Sequence, residues 1–111
     1  MTSEYKYFSD LAGELAAIPP DSIVSRTLIA ESALRVILFG FAPGQELTEH
    51  RTPMAAIIQI LDGEGTLTLG GETMDATPGT AVYMPPNLPH SVQARTELKM
   101  LLTMAKEAQG Q

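Results

Sequence analysis

Gly79-Thr-Ala-Val-Tyr-Met-Pro-Pro-Asn-Leu-Pro-His90 is the stretch whose reading decides the fold. It opens on the turn pair Pro78-Gly79, passes through a short apolar run at 80–84, and is broken by Pro85-Pro86 and Pro89. Proline has no N–H to give to a sheet ladder, and it holds the residue before it in extended backbone. A second apolar run, 91–94, begins directly after His90. Strand, proline-built turn, strand is the punctuation of an all-β protein.

Outward from this stretch the same grammar continues. The segments 22–30, 34–41, 54–61, 66–69, 73–76 and 98–104 are rich in β-branched and large apolar residues and read as strands. Gly70-Gly71 makes a tight hairpin, because glycine accepts the positive φ that primed turns need. Leu98, Met100, Leu102 and Met104 share one face of the last strand. Two strands are apolar on both faces. In 34–41, Leu34, Val36 and Leu38 oppose Ile37, Phe39 and Phe41, with Arg35 as the exception, and 54–61 shows the same pattern. A strand buried on both sides needs a cover beyond its own barrel, which either the N-terminal arm or a second subunit supplies. Before the strands, Leu11, Leu15 and Ile18 have helical spacing and Pro19-Pro20 ends the run, so a short helix or irregular arm is expected over 9–18. The expected architecture is all-β: one domain over 1–111, with a closed or double-sheet antiparallel barrel at about 22–105, an arm at 1–21 and a polar tail at 106–111.

Composition narrows the function. The chain has 111 residues and a formal net charge of -6, with 44% hydrophobic and 18% charged residues. An acidic surface repels phosphate backbones and anionic lipid, so neither nucleic acid nor membrane is expected as a partner. No cysteine is present, which removes disulfides, thiolate nucleophiles and thiolate metal sites together. No apolar run approaches the length of a bilayer span, and residues 1–10 carry no apolar leader stretch, so a cytoplasmic location is expected. The phosphate-binding glycine loops and the G-x-S-x-G nucleophile elbow are also missing.

Two stretches resemble the paired motifs of the cupin superfamily. The first runs Gly44-Gln-Glu-Leu-Thr-Glu-His50-Arg-Thr52-Pro-Met-Ala-Ala56 and on to Gly63; the second is Gly79 to His90. Gly44, His50, Gly63, Gly79, Pro85 and His90 stand at the offsets of the family's pattern, and Asn87 replaces its usual second-motif glycine. The resemblance implies a jelly-roll barrel, a double-stranded β-helix, and a cavity site built for one divalent transition metal such as Fe, Mn, Ni or Zn. The family's cage is similar to three histidines and a glutamate. Here Thr52 occupies the second histidine position and Ala56 the glutamate position, leaving His50 and His90 as metal ligands.

Alternation puts Thr52 on the side of His50. Glu46 shares that parity and reaches toward the rim, Glu49 and Arg51 point away, and Gln59 turns inward only if the register slips by one residue. Met54, Met84, Met100 and Met104 give a methionine-rich interior, either as core filler or as pocket lining. Tyr83 is a proton donor if it faces the cavity. The expected ligand-binding set is therefore His50, Thr52, Met54, Gln59, Tyr83 and His90. The expected function is binding of a small organic ligand at a depleted metal site, by a homodimer. Two alternatives stand beside it: a metal-dependent dioxygenase or isomerase acting through His50 and His90, and metal-free acid–base catalysis.

Overall fold

Runs of alternating or apolar residues become strands, and each stops at a glycine, a proline or a short polar turn. The computed structural model describes residues 4–106. Its strands are β1 (Ile23–Ala30), β2 (Leu34–Phe41), β3 (Glu46–His50), β4 (Ala55–Asp62), β5 (Gly65–Leu69), β6 (Glu72–Ala76), β7 (Ala81–Met84), β8 (His90–Ala94) and β9 (Leu98–Ala105). A five-stranded sheet has the order β1-β2-β9-β4-β7, and a four-stranded sheet has the order β3-β8-β5-β6. All pairings are antiparallel. Except for the hairpins β1–β2 and β5–β6, every connection carries the chain from one sheet to the other. That is the winding of a jelly roll, and it sorts the loops by end. Loops 31–33, 51–54, 70–71 and 85–89 lie at one end of the barrel; 42–45, 63–64, 77–80 and 95–97 lie at the other.

The two sheets close on side chains from their inner faces. Phe41, Ile58, Ile60, Leu67, Met84, Val92, Leu98 and Met100 are each at most 1–2% exposed, so the barrel is filled rather than hollow along most of its length. A second cluster lies outside it, where Leu28, Val36, Leu38 and Leu101 pack under Phe8, Leu11 and Leu15. The arm thus covers the outer face of β2. It is held there by Lys99, whose Nζ donates to the carbonyls of Ala12 at 2.8 Å and Leu15 at 2.7 Å. Gly40 permits this approach: a Cβ there would lie 2.7 Å from Leu15 Cδ2 and 2.8 Å from Ile18 Cδ1.

Of the short helix or irregular arm expected over 9–18, the irregular arm forms, with a single 3₁₀ turn at Ala12–Glu14. A short helix gains little from its own hydrogen bonds, and Gly13 weakens it further. Carbonyls that would continue it bond to Lys99 instead. The outer face of β4 is left differently. Ile57 is 41% exposed and Tyr83, its partner on β7, is 64% exposed. No helix among the described residues is long and apolar enough to cross a membrane.

Two glycines with nearly the same backbone separate strain from crowding. Gly44 has φ +84° with nothing within 4 Å of a would-be Cβ, whereas Gly63 has φ +82° with the Glu97 carbonyl oxygen only 1.9 Å away. Gly44→Ala is expected to cost about 1–2 kcal/mol from φ alone. Gly63→Ala should cost about 3 kcal/mol or more, because the backbone at 97–98 must move. Urea denaturation of both variants checks this; equal losses would contradict the packing of the β4–β5 turn on the β8–β9 loop.

Candidate functional site

His50 is the last residue of β3 and His90 the first of β8, and the two are cross-strand partners. Their ring centroids are 4.1 Å apart with planes inclined at 59°. His90 is 4% exposed, while His50 stands at the exposed rim. The loops that follow His50 and precede His90 are tied together, since the Asn87 N–H donates to the Thr52 carbonyl at 2.7 Å. Asn87 has φ 68°. Asparagine is one of the few residues with a side chain that adopt this left-handed conformation readily, which explains how it replaces glycine in this turn.

The pairing contains an irregularity. Leu47 opposes Val92 and His50 opposes His90, so β3 uses three steps where β8 uses two. The extra residue is a bulge at Thr48 and Glu49, and it resets the alternation. Leu47, packed on the barrel core, and His50 therefore face the same way. Glu46 opposes Gln93, and both are exposed on the outer side. Simple parity from His50 expected Glu46 at the rim; the bulge turns it outward, and it is not part of the site.

The bulge also fixes the rings. His50 Nδ1 lies 3.1 Å from the Thr48 carbonyl oxygen, and His90 Nδ1 lies 2.9 Å from that of Leu88. A carbonyl only accepts, so each Nδ1 carries a hydrogen, and Nε2 is the ring nitrogen that can accept when the ring is neutral. Burial lowers the His90 pKa below the ordinary 6.5; the Leu88 bond opposes this, and the neighbouring His50 adds to it. His90 is therefore neutral at pH 7.

Ala56, Ile58 and Ile60 are buried inward, so Ile57, Gln59 and Leu61 face out. The pairs Ile57 with Tyr83 and Gln59 with Ala81 show no slip. Gln59 and Tyr83 thus lie on the exposed outer face, away from the histidines, and both leave the expected ligand-binding set. Thr52 is half-buried and accepts from the Met54 N–H at 3.4 Å through its hydroxyl. Met54 packs half-buried against the barrel core, and Met84, Met100 and Met104 belong to the core itself. Leu69 stands opposite His90 on β5, a neighbour that only the sheet order reveals.

The chain's own donors do not complete a transition-metal shell. Among the described residues no group of three or more His, Cys, Asp or Glu side chains could hold a metal. Two imidazoles fall short of the three protein ligands of an ordinary catalytic site. What remains is a pair of adjoining acceptor nitrogens beside apolar walls.

The Cupin domain family model matches residues 37–105. A conserved protein of unknown function from Streptococcus pyogenes is 32% identical, with 96% of this chain and 92% of that one covered and a TM-score of 0.82. A cupin 2 conserved barrel domain protein from Leptotrichia buccalis is 35% identical over 85% of this chain and 46% of its own, with a TM-score of 0.78. Salicylate 1,2-dioxygenase from Pseudoaminobacter salicylatoxidans shares the fold at 20% identity and a TM-score of 0.72, over 85% of this chain and 27% of that one. No curated protein matches the chain. Both motif histidines paired in a jelly roll, the family match across most of the barrel and these relatives lead to one assignment: the chain belongs to the cupin family.

Proposed function

We propose that this cupin binds a small organic molecule at the open end of the barrel, with the paired imidazoles of His50 and His90 as its polar anchors and any metal only weakly held. The observation that carries this is the geometry of the pair: rings 4.1 Å apart, each with Nδ1 directed at a backbone carbonyl and Nε2 left to accept. Half-buried apolar side chains packed on the core, among them Ile37, Phe39, Met54, Leu69 and Leu102, give the apolar surroundings that ligand sites favour. Two acceptors side by side suit a ligand that offers hydrogen-bond donors.

Metal content of untagged protein, measured by plasma mass spectrometry, tests the reading directly. The expected result is far below one metal per chain, even after incubation with Fe(II), Mn(II), Ni(II) and Zn(II). Near-stoichiometric metal that disappears in both His50→Ala and His90→Ala would replace the reading with the metal-dependent alternative.

The neutral His90 also gives a pH signature. Its folded pKa lies below the unfolded value. Between the two values the unfolded chain holds a proton that the folded chain does not, so stability rises with pH there. The contribution is complete above the unfolded value and is lost as pH falls toward the folded one. Urea midpoints should therefore decline as pH drops below about 6.5, and His90→Asn should flatten that decline. An unchanged slope would show that His90 is not held neutral by burial.

We further propose that two copies pair through the outer face of β4 and β7. The arm covers β2, whereas Ile57 and Tyr83 stay exposed beside each other. Light scattering should give a dimer for the native chain and a monomer for Tyr83→Asp; a monomeric native chain refutes the pairing.

A further inference from the structure

The mouth of the barrel carries a positive charge that the paired histidines do not account for. Arg35 opposes Met104 on β9, and the next pairs along the same face are Ile37 with Leu102 and Phe39 with Met100. Met104 and Met100 belong to the barrel core, so Arg35 occupies the inner-face register of β2, one step above Ile37. It is exposed, at the end of the strand next to loop 31–33. That is the same end as His50 and His90. β2 and β3 lie in opposite sheets and are joined by the short connection 42–45, so the start of β2 faces the end of β3.

Three of the other cations are engaged elsewhere. Arg26 pairs with Glu14, Arg95 pairs with Glu64, and Lys99 holds the arm. Among the described residues Arg35 takes part in no ion pair and no side-chain hydrogen bond. The ends of the barrel also differ in charge. Asp62, Glu64 and Glu97 crowd the far end, with Arg95 as the cation in its loops. At the histidine end Arg35, Arg51 and Lys106 stand with Glu31, Glu49 and Glu72. In a chain of net charge -6 this is the end an anion approaches most easily.

We propose, resting on the ligand-binding role of the histidine pair, that Arg35 anchors a single carboxylate and that the ligand is a small hydroxy-substituted carboxylic acid. The guanidinium presents a planar fork that matches a carboxylate. The Nε2 atoms of the two rings, left free by the Nδ1 bonds to backbone carbonyls, take the hydroxyl hydrogen at the other end of the molecule. The half-buried Ile37, Phe39 and Leu102 lie on the same inner face and give the ligand an apolar middle. One guanidinium fork matches one carboxylate, which favours a monoanion over a phosphate dianion.

The test uses the full chain with 3-hydroxybenzoate and 6-hydroxyhexanoate, each against its neutral amide, followed through the imidazole NMR signals of both histidines. At least one acid should bind saturably and about tenfold or more tightly than its amide. Arg35→Met should remove that advantage without changing amide binding or the urea midpoint, and Arg35→Lys should restore part of it. Equal binding of acid and amide, no binding of either acid, or indifference to Arg35→Met would overturn the inference. Acid binding lost in His50→Ala and His90→Ala but not in Arg35→Met would overturn the anchor alone and leave the histidine site standing. Acid binding lost in Arg35→Met but untouched in both histidine variants would instead overturn the histidine site and keep the anchor.

Discussion

One extra residue in β3 governs the site. Without the bulge at Thr48 and Glu49, a strand that buries Leu47 would bury Glu49 with it and turn His50 to solvent. A carboxylate would then stand opposite His90 in place of the second ring, and moving its charge to the inner face carries a desolvation cost. The bulge removes that conflict by leaving Glu49 outside, and it places the Thr48 carbonyl where the His50 ring can bond to it. The same local irregularity therefore decides which side chains enter the barrel and which ring nitrogen is left to meet a ligand.

Around this the barrel divides its labour. The far end and middle are packed by large apolar side chains that are almost wholly buried. At the histidine end the half-buried Met54 and Leu69 stand beside the buried Ala56, Met84 and His90, and two of the loops there are joined through Asn87 and Thr52. The arm adds a second apolar layer on the outside of β1, β2 and β9, with Lys99 bonding to its carbonyls. A lysine in a part-buried setting is tolerable there because its ammonium donates to two strong acceptors.

Much of this was legible in the residues. Proline and glycine punctuation located eight of the nine strands but not β3, which carries His50, and alternation set Gln59 on the face opposite Ala56. Alternation also put Arg35 on the face of Ile37 and Phe39, although its meaning emerged only once the opposite sheet was known. The positions of Glu46 and Tyr83 were harder. A bulge leaves no composition signal in Thr48-Glu49, and the side of Tyr83 depends on a pairing with Ile57 that involves a distant strand. The arm's apolar residues have helical spacing, but their partners are Leu38 and Leu101 on the barrel rather than one another. Periodicity identifies a buried face; it does not say which backbone conformation delivers it.

The pairing of β3 with β8 also bears on how the molecule comes together. Each histidine belongs to a strand whose partner is remote in sequence, and β8 must also pair with β5 before its register is fixed. Contacts of this kind close late, after the entropy of large loops has been lost. A chain in which β3 and β8 have not met would hold the same two imidazoles apart. The contact between the rings therefore exists only where β3 and β8 have met, and it reads out closure between two strands rather than formation of either one.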